Sequence, residues 1–551
     1  MKIKAALWLL TLALMACSPK ETIKERPNIL WIVAEDLSPV IPSFGDSTIV
    51  TPHLSRLARE GVCYDRVFSP SGVCAPSRAA IATGMYPIHI GANHMRTGPW
   101  FRSDVPQQFI DNYAKGAMPL GVTPYEAIPG PEVKMMSEYL RKEGYYCSNN
   151  AKEDYQFRRS LMAWDDCSNK AHWRNREEGQ PFFSIFNIEV THESRIWAKA
   201  NDSLWIDENL DVPIPPYLPT TDSAKIDVRR MYSNIKEMDH RVGEILAELE
   251  ADGLLENTII FWYTDHGGPL PRQKRLNYDS GLRVPMMIRF PEKENALTRD
   301  GQLISFIDFA PTVLSLAGIK PPDHLDGKAF LGAYKEHEQR NYIHAAADRF
   351  DESYHDPLRT VRDERYKLIK YYDTDKPMFY PVAYREQMSI MRELHRLKNE
   401  DQLTNEQALW FRGQKSPFEL FDTELDPHEI NNLAEDPEYA DIQKRLFQEL
   451  ESWLSSITDL NMMPEQELMS KLWPDKTQPV TSSPKISKSS SGKINIQSST
   501  SGATIGYKII AQADTTSGWK LYTKPIEIEE NQRVMAVAHR LGFRPSEVVN
   551  L

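Results

Sequence analysis

The stretch RPNILWIVAEDL, Arg26 to Leu37, holds an unbroken apolar run from Ile29 to Ala34 that stops abruptly at Glu35-Asp36. An apolar run without alternation is what a parallel strand needs when both its faces are buried. Two carboxylates directly after it stand where open α/β sheets place their ligands, beyond the C-terminal ends of the strands. The same unit recurs downstream. TPHLSRLAREGV, from Thr51, reads as a helix with Thr51 as cap and Pro52 in its first turn. Leu54, Leu57 and Ala58 share a face, and Gly61 is the stop. PEVKMMSEYLRKEGYYCSNNAKEDY predicts a helix to Lys142, a stop at Gly144 and a strand leading to Lys152. PFFSIFNIEVTHES predicts a strand from Phe182 into His192. A long amphipathic helix, Met231 to Asp252, leads into NTIIFWYTDHGG, a strand ending at Asp265-His266. Strands alternating with helices argue for an α/β fold with a doubly wound sheet and helices on both faces.

At 551 residues the chain is too long for one ordinary domain. The α/β pattern occupies residues 18–345, and residues 346–475 read as a smaller α+β subdomain of short strands with a final helix near Asp436 to Ile457. KTQPVTSSPKISKSSSGK is too poor in apolar residues to build a core, so residues 476–492 read as a linker. Residues 493–551 alternate at period two between Gly and Asn breaks, the pattern of a small β-sandwich. Trp519 and Tyr522 in it are candidate sugar platforms, with core packing as the competing role.

The net charge of −12 argues against nucleic acid as a partner. It leaves room for an anionic small substrate, because a few local cations set the field inside one cleft. The N-terminus, MKIKAALWLLTLALMACSPK, has basic Lys2 and Lys4 and an apolar Ala5–Ala16, too short to span a bilayer comfortably. It resembles a bacterial lipoprotein signal peptide, residues 1–17, with Cys17 as the lipidated residue. An ordinary signal peptide cut nearby is the alternative. Either way the mature chain is expected to be exported, and with lipidation it is anchored to a bacterial membrane. Five cysteines do not make a disulfide framework. Cys147 with Cys167 is one pairing that remains open.

Polar groups therefore gather at several strand ends: Glu35-Asp36, Lys152, His192 and Asp265-His266. The stretch SPSGVCAPSRAAIATG, Ser69 to Gly84, adds Cys74 and Arg78 at a loop-to-helix junction. A lone cysteine is by default a small buried hydrophobe. At a helix N-terminus it can instead be a nucleophile, because the backbone N–H groups there favour anionic groups.

CAPSR, with Thr83-Gly84 after it, resembles the C-x-P-S-R…T-G signature of type I (formylglycine-dependent) sulfatases, members of the alkaline-phosphatase-like superfamily. RPNILWIVAEDL, TPHLSRLAREGV, DHGGPLPRQKRLNYDSGLRVP, DFAPTVLSLAG and ELFDTELDPHEINNLA resemble further blocks of that family, in its order, across residues 26 to 460. The resemblance implies a sulfatase acting on sulfate esters, or sulfamates, of a sulfated polysaccharide or its oligosaccharides. It implies formylglycine (3-oxoalanine) at Cys74, made by a formylglycine-generating or an anaerobic sulfatase-maturating enzyme. The hydrated aldehyde attacks sulfur through one oxygen and expels sulfate through the other, which a serine cannot do. Asp36, Asp265 and His266, with Glu35, are implied to hold a divalent cation beside residue 74. Ca2+ is usual in the family, and Mg2+ is compatible with oxygen ligands. Arg78, Lys152 and Lys274 are implied to stabilise the nucleophile and the sulfate, and His192 to protonate the leaving oxygen. His94 and Arg349 are the candidates for substrate contact, against a loop cap for His94 and a solvated loop for Arg349.

Three residues depart from the family pattern. Glu35 stands where an aspartate is usual, and His266 where asparagine is common. Lys152 is followed by Glu153-Asp154, with no histidine two residues on. The alternatives are a phosphonate or phosphate ester hydrolase of the same superfamily and an inactive surface glycan-binding protein.

Overall fold

The computed structural model describes residues 26–98, 118–510, 518–529 and 531–551. The expected signal peptide and Cys17 lie outside the described residues. Among those described, no helix is long and apolar enough to cross a membrane.

Nine strands form the main sheet: β1 Asn28–Ala34, β2 Val62–Phe68, β3 Tyr146–Asn150, β4 Asp166–Cys167, β5 Phe182–Ile188, β6 Thr258–Thr264, β7 Arg283–Arg289, β8 Thr298–Asp300 and β9 Ile304–Ser305. Their order is β4-β3-β5-β1-β6-β7-β2-β8, with β9 also paired to β2. β1 lies between β5 and β6, parallel to both, and every one of its residues is buried. Its side chains alternate between two cores, as the pleat demands. Leu30 and Ile32 pack with Leu54 and Leu57 of the helix Pro52–Glu60 and with Ile235, Met238 and Val242 of the long helix Asp222–Ala251. Ile29, Trp31 and Val33 pack on the other face with Ala79, Ile81 and Ala82 of the helix Cys74–Thr83 and with Leu140, Phe309 and Val313. The expected doubly wound sheet is therefore present.

One strand runs the other way. β7 is antiparallel to both β6 and β2. Pro285 lies within it, and the β2–β7 register shifts between Tyr64 and Val67, which spares the ladder a proline where it would need an N–H. The helix Pro52–Glu60 also starts differently from expectation. Thr51 makes no side-chain cap bond. Instead Asp239, from the long helix, accepts from the backbone N–H groups of His53 (3.3 Å) and Leu54 (2.8 Å).

The second sheet, β10 Ile343–Arg349, β11 His355–Arg362, β12 Tyr366–Tyr371 and β13 Phe418–Asp422, is antiparallel throughout. The helix Ala440–Ser456 covers it with Leu446, Leu450 and Trp453. Two small antiparallel sheets follow: β14 Lys485–Lys488 with β15 Ile494–Gln497, and β17 Lys520–Leu521, β16 Thr504–Ile510, β18 Arg533–His539 and β19 Val549–Asn550. They enclose Ile494, Ile496, Val534 and Ala536. The linker expectation for residues 476–492 fails here. β14 lies inside that range and pairs with β15, and Gln478 and Thr481 are buried. Backbone pairing and docking supply what the sparse apolar side chains do not. Cys63, Cys74, Cys147 and Cys167 are all free, so Cys147 and Cys167 form no bridge.

Candidate active site

The register of the central strands sets Ala34 beside Ile188 and Thr264. Glu35-Asp36 and Asp265-His266 consequently leave the sheet side by side. β3, parallel to β5, delivers Lys152 to the same edge through a turn at Ala151 (φ 89°). Asp36 is itself left-handed (φ 43°), a conformation that aspartate tolerates better than most residues. Its backbone N–H donates to Asp265 Oδ1 (3.1 Å), and its own Oδ2 accepts from the Glu193 N–H (2.7 Å).

Cys74 is the first residue of a helix buried along its whole length. Its Sγ lies 3.3 Å from His266 Nε2 and 3.9 Å from Asp36 Oδ1. Burial pushes the thiol up, but Lys274, Lys152 and His266 outweigh it and bring the pKa down to about 7. One turn on, the buried Arg78 spreads its guanidinium over three acceptors: Asp265 Oδ2 (3.0 Å), Asn187 Oδ1 (2.8 Å) and Glu35 Oε1 (3.4 Å). Lys152 Nζ is 2.7 Å from Glu35 Oε1. Lys274 Nζ is 2.7 Å from Asp36 Oδ2, 3.2 Å from Glu193 Oε1 and 3.3 Å from His192 Nε2. His192 is fixed at its other nitrogen by Ser194 Oγ (2.9 Å).

Eight of the expected residues thus meet in one place: Glu35, Asp36, Cys74, Arg78, Lys152, His192, Asp265 and His266, with Lys274 as a ninth from the loop after β6. Charge keeps the carboxylates ionised. Burial favours protonated Asp265, yet Arg78 and His266 hold its pKa at about 2. Burial works likewise against Asp36, which Lys274, His192 and His266 hold well below the usual range. His266 is opposed by burial and carried to about 10 by Asp265 and Asp36.

One ligand atom from each of Asp36, Cys74, Asp265 and His266 lies within 4.8 Å of the others. Two ionised carboxylates, buried and converging beside residue 74, suit a divalent cation, which would take the place of the proton that they hold on His266 Nε2. Glu35 falls in a second group, with Asp36 and His192, and its Oε1 faces Lys152 and Arg78.

Several participants carry no sequence signal of their own. Glu193 accepts two bonds from Arg275 (2.7 and 2.9 Å), which also pairs with Asp351, and Arg96 approaches Asp351 at 3.6 Å. The result is a line of alternating charge from Asp36 through Lys274, Glu193, Arg275 and Asp351 to Arg96. Arg275, Asp351 and Arg96 are all left-handed (φ 77°, 67° and 61°), so strained backbone is concentrated along this line. Only the strand-end rule pointed to this region; an ion pair between Glu193 and Arg275 has no spacing that a single sequence displays.

Two expected substrate contacts sit elsewhere. Arg349 is fully buried and bidentate to Glu465 (2.7 and 2.8 Å), so it does not lie in a solvated loop. His94 is buried beside His355, 5.9 Å between ring centroids, and burial drives its imidazole down to about 3, hence neutral. Asp154, which stands where the family has a histidine two residues after the lysine, is buried near Arg96 (3.7 Å) on the cavity wall. The opening at the site is a cavity of about 420 Å3 lined by Glu35, Arg96, Lys152, Asp154, His192 and Tyr384.

A family profile described as Sulfatase matches residues 27–319, and one described as N-sulphoglucosamine sulphohydrolase, C-terminal, matches residues 272–407. An ulvan-active sulfatase of Formosa agariphila is 49% identical over 96% of this chain and 92% of its own length. The N-sulphoglucosamine sulphohydrolase of Homo sapiens is 25% identical over 78% of this chain and 90% of its own. Among solved structures, BT4656 in complex with its substrate D-glucosamine-2-N,6-O-disulfate superposes with a TM-score of 0.56 at 17% identity, covering 78% of this chain and 98% of that one. A phosphonate monoester hydrolase of Agrobacterium radiobacter gives 0.53 at 17% identity, over 78% and 96%. At such identities the structural likeness speaks for the fold alone.

Proposed function

The chain belongs to the sulfatase family and hydrolyses sulfate esters, and from that premise we propose that its substrate is a sulfated glycan or an oligosaccharide cut from one, with ulvan as the first to test. The observation that carries the site assignment is the placement of Cys74. It is buried at a helix start, within one cluster of carboxylates, Arg78, Lys152, Lys274 and His192.

Each residue has a role in this reading. Cys74, converted to formylglycine by a maturation enzyme, supplies as its hydrate the oxygen that attacks sulfur. Asp36, Asp265 and His266, with Glu35 nearby, would hold a divalent cation, Ca2+ in this reading, which would offset negative charge on the sulfate. Arg78 orients residue 74 from a guanidinium locked by three acceptors. Lys152 and Lys274 present ammonium groups to the sulfate oxygens as charge builds on them. His192 gives its proton to the departing sugar oxygen. Burial and Lys274 oppose that proton, but Asp36, Cys74 and Glu35 hold it there more firmly than in a free imidazole. Tyr384, with its ring 6.3 Å from that of His192, offers a face for the sugar. The basic and apolar leader around Cys17 supports export and a lipid anchor.

The test is sulfate release, by ion chromatography, from a panel of sulfated oligosaccharides. Chelator is added and then reversed with Ca2+ or Mg2+. Release from one glycan class, lost with chelator and restored best by Ca2+, is expected. A phosphonate monoester is assayed alongside, and its hydrolysis without sulfate release from any oligosaccharide would overturn the reading.

A further inference from the structure

Beside the sulfate pocket lies a second cavity, of about 550 Å3, that shares Ala151, Lys152, Glu189 and Arg195 with the first. It extends away from Tyr384 and Arg96 along the helix Ser194–Ala198 to the long helix Asp222–Ala251. Its charged lining is Lys152, Arg195, Lys199 and Arg241 against Glu189, Asp202 and Glu237. Lys152 is committed to Glu35 (2.7 Å), so the other three cations balance the three carboxylates, and what sets the cavity apart is that two of those cations are guanidinium groups with side chains more than two-fifths exposed.

The far wall has a specific construction. Glu237 and Arg241 are one helical turn apart, and Glu237 takes both the Lys199 ammonium and Arg241 Nη2 (2.6 Å). Burial favours the protonated form of Glu237, but its bonds to Lys199 and Arg241 hold the pKa below the usual value. One carboxylate therefore pins two cations to the wall and neutralises only one of them. The Arg241 side chain is 51% exposed and that of Arg195 42%, and Arg195 holds Glu189 only at 3.4 Å. The Arg195–Glu189 pair, exposed on both sides, costs little to exchange for a ligand oxyanion, and Arg241 can keep Glu237 through one nitrogen while offering its other N–H groups to the ligand. Guanidinium forks suit planar, two-oxygen acceptors.

We infer that this cavity is a subsite for the sugar next to the sulfated one, and that Arg241 and Lys199, assisted by Arg195, select an adjoining sugar carrying an oxyanion: a carboxylate or a second sulfate. This rests on the sulfatase reading for the position of the reacting ester. The cavity's size, its continuity with the sulfate pocket and the exposed guanidinium groups of Arg195 and Arg241 point the same way.

The experiment compares wild type with Arg241→Ala and Lys199→Ala. The substrates are a small aryl sulfate, a sulfated disaccharide with a neighbouring uronate, the same disaccharide with its carboxyl reduced to an alcohol, and one whose neighbour carries sulfate. Equilibrium binding of the same oligosaccharides is measured in parallel by calorimetry with Cys74→Ala present in every protein, so that no substrate is consumed. For the oxyanion-bearing disaccharides, about a tenfold rise in KM and Kd with kcat retained is expected in each variant. The aryl sulfate and the reduced disaccharide should show no change. The uronate and sulfate arms tell which oxyanion is preferred. Equal KM and Kd for charged and reduced disaccharides in wild type would overturn the proposal. So would variants that lose the aryl sulfate as strongly as the disaccharides. If wild type released no sulfate from any substrate, the sulfatase reading would fail, and the binding data would still decide on the subsite.

Discussion

At the scale of single residues, the site is built from side chains whose charges are mutually dependent. His192 is the clearest case, since its role depends on what leaves. A sugar alkoxide needs a proton and a nitrophenolate does not. His192→Ala should lower kcat on a sugar sulfate by about 10²- to 10⁴-fold and barely affect nitrophenyl sulfate. Equal losses on both would remove His192 as the acid. Glu193 carries another prediction. It is the carboxylate that keeps Lys274 and Arg275 together in a water-poor place. Glu193→Gln leaves two buried cations short of a partner and should cost about 3–5 kcal/mol in urea unfolding. A loss under about 1 kcal/mol would mean that the line from Asp36 to Arg96 is not cooperative. The strand-end residues, Glu35, Asp36, Lys152, His192, Asp265 and His266, were legible because a strand end is a local event in sequence. Glu193, Arg275 and Asp351 were not, because their meeting needs the fold first. The burial of Arg349 was not legible for a related reason: its partner Glu465 lies more than a hundred residues away.

At the scale of elements, the apolar runs located β1, β5 and β6, since burial on both faces leaves no polar alternation to misread. β2 and β7 were not read as strands: Asp65-Arg66 interrupts the apolar run of β2, and Pro285 within β7 argues locally against a strand. The Thr83-Gly84 pair that follows CAPSR has a mechanical meaning. Gly84 is left-handed (φ 71°) and its N–H closes the helix on Ala80 (2.8 Å), so the helix that positions Cys74 and Arg78 stops there. The helix Pro52–Glu60 shows where a local rule misleads. Thr51 has the right chemistry for a cap, but Asp239 supplies it from across the core. Asp239→Ala should therefore destabilise the protein by about 1–2 kcal/mol, while Thr51→Ala should lie within about 0.5 kcal/mol of wild type. The reverse ranking in chemical denaturation would restore Thr51 as the cap.

At the scale of the whole molecule, the C-terminal sheets are docked on the catalytic body. Lys134 donates to the Gly502 carbonyl (3.1 Å), Arg141 to that of Trp519 (2.8 Å), and Arg540 to that of Pro129 (3.0 Å). Glu126 is buried in this junction against Gln478 (2.7 Å), and burial pushes its pKa up to about 7. A carboxyl raised in the folded state has a definite sign. Below the unfolded value it is protonated in both states and imposes no penalty. Between that value and about 7 the unfolded chain loses its proton first, so stability falls as pH rises. Glu126 should thus cost about 3 kcal/mol between pH 4.5 and pH 7. Glu126→Gln should remove that slope from thermal unfolding curves, and an unchanged slope would rule Glu126 out as its source. Residues 476–492 belong to this scale as well. Their composition is that of a linker, and only the surface they dock against orders them. The central claim, however, is that residue 74 is the reacting group. The most direct measurement is mass spectrometry of the peptide containing residue 74 from active protein of the native host, alongside sulfate release by Cys74→Ala. The account predicts the mass of formylglycine in place of cysteine and no turnover in the variant. An unmodified thiol in active protein, or sulfate release that survives the loss of Cys74, would contradict it.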